Sequence, residues 1–85
     1  MSTLAKKNDK ETFNFNSGKR CSVTLGPSGR IKVVFTFSDN GISKNKNVDL
    51  DMLPGKKSAE GITNVTQVIV TNNTTTPSIF TVVAI

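Results

Sequence analysis

The sequence lacks histidine, tryptophan and tyrosine, and it contains a single cysteine, Cys21. General acid–base and nucleophilic catalysis draw mainly on His, on paired carboxylates, or on Cys and Ser beside a base. Transition-metal sites need several His or Cys ligands. We therefore expect a non-enzymatic protein without a cofactor, a metal or a small-molecule substrate. Cys21 has no partner for an intramolecular disulfide, and its apolar neighbourhood predicts a small buried hydrophobic residue.

Long apolar runs are also missing. The polar segment 1–11 has no signal-peptide core, and no stretch approaches the ~20 apolar residues of a membrane span. We expect a soluble protein that is made in the cytosol and has no membrane contact. Hydrophobic residues make up 35% of the 85 residues, which indicates one domain with a thin core. Residues 1–11 are predicted to form a basic polar arm, and residues 12–85 a single β domain.

Alternation of apolar and polar residues predicts an all-β protein with no amphipathic helix. The six predicted strands cover residues 12–16, 21–25, 30–38, 47–52, 65–71 and 78–85. Since no helix is available to cover a face of the sheet, the sheet must close on itself or stack on another. We therefore expect a small six-stranded antiparallel barrel or sandwich with a basic N-terminal arm.

Between the second and third predicted strands, the turn Gly26–Arg30 is the clearest local signal. Its Pro, Ser and Gly fit a type I turn closed by a left-handed Gly29, which is a three-residue hairpin loop. In that register Leu25 faces Ile31 and every apolar residue meets another, whereas a four-residue loop sets Leu25 against Arg30. We therefore expect segments 21–25 and 30–38 to pair directly. A longer loop is expected after Asp39.

The final strand, Ser78–Ile85, is apolar on both faces. A strand of that kind needs cover on both sides. Either it threads the middle of its own fold or a second subunit completes its burial. Because the sequence stops at Ile85, the sequence favours a homo-oligomeric, self-assembling structural protein, such as a phage coat (capsid), cement or tail component of a virion. The predicted subunit interface consists of Ile79, Phe80, Val82, Val83 and Ile85.

The net charge of +5 is consistent with a polyanionic partner. The alternative function is therefore a nucleic-acid-binding β-barrel that uses a basic strand face. Its candidate residues are Lys6, Lys7, Lys19, Arg20, Arg30 and Lys32. The same charges also keep a strand edge soluble and unpaired. A third hypothesis is an adaptor that binds another protein through an exposed strand edge.

Two phenylalanine pairs, Phe13/Phe15 and Phe35/Phe37, also bear on nucleic-acid binding, because paired aromatic residues can stack bases. Segments Phe15–Lys19 and Val34–Ser38 resemble two parts of the cold-shock domain, a five-stranded nucleic-acid-binding barrel. The platform aromatics of that family are replaced here by Cys21 and Val23, and its exposed histidine by Thr36. The chain is therefore not assigned to that family, and we expect the phenylalanines in the core.

Overall fold

A computed structural model describes residues 1–85 as six antiparallel strands in one sheet that is not closed. The strands are β1 (Ser2–Leu4), β2 (Lys10–Leu25), β3 (Arg30–Asp39), β4 (Ile42–Asp51), β5 (Ser58–Asn72) and β6 (Ser78–Ala84). Their order in the sheet is β1-β6-β2-β5-β3-β4. The all-β prediction is confirmed, whereas a closed barrel or a two-sheet sandwich is not. The structure has no helix that could cross a membrane.

The long strands β2 and β5 form the centre of the sheet, and their register shifts repeatedly. β5 contributes an extra residue between the pairs Val23–Ala59 and Cys21–Ile62, and again before the pair formed by Lys19. β5 has left-handed backbone at these steps, with φ of +75° at Gly61 and +57° at Asn64. Such bulges bend a strand and increase its twist.

The bulges change which residues of β5 face the core. Buried or half-buried apolar positions recur every third residue instead of every second, at Ala59, Ile62, Val65 and Val68. A strict two-residue period would place Val65 and Val68 on opposite faces, but a further register shift, where Val65 and Gln67 pair with the adjacent residues Phe37 and Thr36 of β3, turns both inward. Residues 58–60, which lie between the fourth and fifth predicted strands, are part of β5.

The core lies on the inner face of the rolled sheet. Its thirteen buried hydrophobic residues are Leu4, Cys21, Val23, Leu25, Ile31, Val33, Phe35, Leu50, Ala59, Val65, Val68, Val70 and Phe80. The expected burial of Cys21, at 1% exposure, is confirmed. The phenylalanines also belong to the core as expected, with Phe35 fully buried and Phe13, Phe15 and Phe37 half-buried against it.

The predicted hairpin between segments 21–25 and 30–38 is wrong. β5 lies between β2 and β3 and pairs with both. The connecting loop bonds to β6 instead: Gly26 N–H donates to the Ile79 carbonyl at 2.9 Å, and Ile79 N–H donates to the Ser28 carbonyl at 3.0 Å. Alternation decides which side chains face inward, but β5 also offers apolar inward residues, so the pattern does not select the neighbouring strand.

The predicted basic arm, residues 1–11, is not confirmed. Within it Ser2–Leu4 forms β1 and pairs with β6, with Ser2 opposite Phe80, and Leu4 is buried in the core. Lys10 and Glu11 already belong to β2. The predicted strands 12–16 and 21–25 are likewise parts of this one long strand.

The loop expected after Asp39 is short. Asn40 and Gly41 both have positive φ, at +53° and +80°, and they connect β3 to β4 in a two-residue turn. Asn-Gly is the typical sequence of a type I′ hairpin, whose twist matches the flanking strands. β4 therefore begins at Ile42, and Lys44 and Lys46 lie on a strand rather than in a loop.

Candidate subunit interface

The terminal strand β6 has one face in the core and one in solvent. In the ladder with β2, Leu25 lies opposite Phe80 and Cys21 opposite Ala84, so the even-numbered residues of β6 face inward. Phe80 is fully buried. On the outer face, Val83 is 47% exposed and Ile85 is 79% exposed. Of the five predicted interface residues, the fold buries Phe80, half-buries Ile79 and Val82, and leaves Val83 and Ile85 on the surface.

β6 also has a free edge. Arg20 and Ile85 exchange two backbone hydrogen bonds, at 2.9 and 3.0 Å. Because bonding alternates along an antiparallel ladder, Val83 also points its backbone groups toward β2. The N–H and C=O of Val82 and Ala84 therefore face the opposite edge. There β1 covers only Ser78–Phe80.

The sheet's other edge, β4, is chemically different. β4 is unpaired along its outer side, but its side chains include exposed Lys44, Lys46 and Asp49. Lys44 also forms an ion pair with Asp39 at 2.8 Å. Charged side chains along an edge oppose strand addition, because pairing would remove them from water. Unlike β4, β6 carries no charged side chain along its free edge at Val82 and Ala84.

A buried polar cluster positions the start of β6. The amide Nδ2 of Asn72 lies 3.0 Å from the carbonyl oxygens of Leu4 and Thr76 and 3.1 Å from that of Lys6. Ser78 donates its hydroxyl proton to Asn72 Oδ1 at 2.6 Å and accepts a hydrogen bond from Arg30 N–H at 3.0 Å. No buried side-chain polar atom is left without a partner.

The Asn72–Ser78 cluster links β1, β3, β5 and β6. It therefore brings together β3 and β6, which are not neighbours in the sheet. Sequence reasoning missed these two residues, because Asn and Ser in a polar segment resemble an ordinary turn. No local signal distinguishes a buried Asn from an exposed one.

The candidate nucleic-acid residues do not form one basic surface. Arg30 and Lys32 share the outer face of β3, but their partners on β4 are Asp51 and Asp49, respectively. The side chains of directly opposed residues on one face are neighbours. Each positive charge on this strand face therefore has a carboxylate beside it.

The other four candidates are distributed over the molecule. Lys6 and Lys7 lie between β1 and β2, where the backbone N–H of Lys6 donates to the Asp9 carboxylate at 3.0 Å. Lys19 lies opposite Val65 on β5. Arg20 is next to Ile85, where with Glu60 and Val83 it lines a shallow depression of about 190 Å³. Arg20 is thus closer to the apolar surface of β6 than to the other basic residues.

Comparison with known proteins gives no family or relative. No protein-family model matches the chain, and neither the curated proteins nor the solved structures contain a significant match.

Proposed function

We propose that this protein is a non-enzymatic, self-assembling structural protein, of the kind that forms a coat, cement or tail component of a virion. The observation that supports this function is β6, which combines an exposed apolar outer face with an uncharged, unpaired edge. The assignment to a virion rests on the small size, the helix-free fold and the lack of catalytic residue types.

The energetics favour association through several contacts. Full burial of an exposed Val or Ile contributes roughly 1.5–3 kcal/mol, so Val83 and Ile85 together supply only a few kcal/mol per copy. Association of two proteins costs at least about 4 kcal/mol in lost translational and rotational freedom. The apolar face alone is therefore insufficient, and backbone hydrogen bonds or repeated contacts in a larger assembly must add to it.

Native mass tests this proposal. We expect light scattering to show an oligomer whose mass rises with protein concentration and does not change on nuclease treatment. Val83→Lys should shift the protein toward the monomer, because it places a charge on the outer face of β6. Ile42→Lys is the matched control, since it introduces the same charge at a residue that is 61% exposed at the start of β4, at the other end of the sheet. A wild-type protein that stays monomeric at millimolar concentration would contradict the proposal.

A second candidate function, binding to single-stranded nucleic acid, is favoured by one specific arrangement. On β4, Lys44 and Lys46 lie opposite Phe37 and Phe35 of β3. The row of directly paired residues that contains Lys44 and Phe37 continues through Val65 of β5 to Lys19 of β2. This part of the inner face has three lysines and the half-buried ring of Phe37, with Asp39 as the acid paired to Lys44. Lysines beside an aromatic ring are the usual elements of such a surface.

Oligonucleotide retardation tests this second candidate. Replacing Lys44 and Lys46 by Ala should weaken binding and reduce its salt dependence, since each lost phosphate contact lowers the salt slope. Replacing Arg30 and Lys32 should have less effect, because Asp51 and Asp49 already offset their charge. A greater loss with the Arg30/Lys32 variant would instead support the outer face of β3, and no retardation at low salt would exclude both surfaces.

A further inference from the structure

We propose that two copies of this protein pair antiparallel through the free edges of β6, with Val83 on the two-fold axis. This inference rests on the proposed self-assembly and identifies the contact that begins it.

The backbone determines the register. Val82 and Ala84 point their N–H and C=O groups to the free edge, whereas Thr81, Val83 and Ile85 point theirs to β2. In the proposed register, Val82 of each copy pairs with Ala84 of the other copy. Four hydrogen bonds then join all the unpaired backbone groups of these two residues. Val83 then lies opposite Val83 in a non-hydrogen-bonded pair, with Cα atoms about 4.5 Å apart.

The side chains support the same register. On the outer face the two Val83 side chains meet, and each Ile85 lies opposite Thr81 of the other copy. On the inner face each Val82 lies opposite Ala84. No charged side chain enters the contact on either face. Met1 precedes Ser2, the residue of β1 that pairs with Phe80, and is 89% exposed, so it is the residue that must move aside.

Electrostatics select this surface for self-association. Each copy carries a net charge of +5, so two copies repel unless they meet at a neutral patch. Residues 61–85 contain no charged side chain, and β6 lies within that segment. Self-pairing of β4 would instead bring Lys44 and Lys46 close to their own copies. A two-fold contact is isologous, so a patch must be compatible with itself, and the uncharged side chains of β6 meet that requirement whereas the lysines of β4 do not.

Cysteine cross-linking tests the register. In a Cys21→Ala background, mild oxidation of Val83→Cys should give a covalent dimer on a non-reducing gel, because the two Cα atoms are within disulfide range. Thr81→Cys alone is the matched control and should not cross-link to itself, since its partner in this register is Ile85. A mixture of the Thr81→Cys and Ile85→Cys proteins should form the mixed dimer.

A backbone variant supplies a second measurement. Ala84→Pro removes one N–H from the free edge and leaves the hydrogen bonds to β2 intact, so it should weaken dimerisation at least fivefold. Asn47→Pro removes an N–H from the free edge of β4 and should leave the dimerisation constant unchanged. Urea unfolding of both variants verifies that they fold.

The outcomes separate the two proposals. Cross-linking at Val83 with none at Thr81 supports the two-fold edge contact. Efficient Thr81 self-cross-linking, or an oligomer in which Val83→Cys gives no covalent dimer, overturns this contact but leaves self-assembly intact. A strictly monomeric wild-type protein in light scattering overturns both.

Discussion

The rings of Phe13 and Phe80 meet edge to face, with centroids 6.4 Å apart and planes at 89°. Phe80 lies opposite Leu25 in the β6–β2 ladder, and Phe13 precedes Leu25 by twelve residues on the same strand. A straight strand of that length would separate them by about 40 Å. β2 must therefore bend back on itself, and its extra residues between Asn14 and Lys19 provide the bend.

The Phe13–Phe80 contact predicts a measurable coupling. Phe80→Ala should lower the free energy of unfolding by about 3–5 kcal/mol, because it empties a fully buried site. Phe13→Ala should cost less, since this ring is half-buried. The double-mutant cycle in urea unfolding should give a coupling of about 0.5–1.5 kcal/mol. The same cycle between Phe15 and Phe80 is the control, and equal coupling in both cycles would contradict a specific ring–ring contact.

Asn72 should be essential to the fold although it is polar. Asn72→Ala removes the donor shared by the Leu4, Lys6 and Thr76 carbonyls and leaves buried acceptors unpaired. We expect a loss of about 2–4 kcal/mol in unfolding free energy. Asn73→Ala changes the adjacent exposed residue and should cost less than about 0.5 kcal/mol. Similar effects of the two substitutions would show that the Asn72–Ser78 cluster does not stabilise the protein.

The bulges of β5 predict an unusual order of stability among substitutions at position 64. Asn64 has a φ of +57°, where a β-branched residue is strained and glycine is not. Asn64→Val should therefore destabilise the protein by about 1–2 kcal/mol, although Val has the higher strand propensity. Asn64→Gly should be close to neutral. Thermal unfolding of the two variants tests this ranking, and a stabilising Asn64→Val would rule out the bulged register.

Cys21 predicts a pH dependence of stability. Burial raises the pKa of the Cys21 thiol above its ordinary value. The folded protein therefore retains this proton at a pH where the unfolded chain, with a pKa of about 8.5, releases it. Stability should be constant from pH 7 to about 8.5 and decrease as the pH rises through the pKa of the folded state. Urea midpoints of wild type and Cys21→Ala between pH 7 and 9.5 test this, and the variant should lack the decrease.

Side-chain direction in β2 and β3 was predictable from the sequence, whereas strand pairing was not. Cys21, Val23 and Leu25 face the core as their alternation indicates, and so do Ile31 and Val33. Alternation is a property of one strand and is the same whichever strand lies beside it. The pattern therefore predicted the inward residues and misidentified their neighbour, which is β5.

The candidate interface shows the same division between what the sequence predicted and what depends on strand pairing. The apolar residues of segment 78–85 predicted a strand there, and β6 is that strand. The register of β6 with β2 and the short length of β1 determine which residues of β6 are exposed and which of its backbone groups are unpaired. Those features come from contacts between residues as distant in sequence as Ser2 and Phe80.

The amino-acid sequence by itself determined the all-β class, the inward side chains of the regular strands and the apolar character of the last strand, since these follow from local composition and a two-residue period. Only the tertiary structure decided the strand order, the three-residue period of β5 and the burial of Asn72. The physical reason is that bulges and buried hydrogen bonds become favourable only when distant segments meet, and no local pattern records which segments will do so.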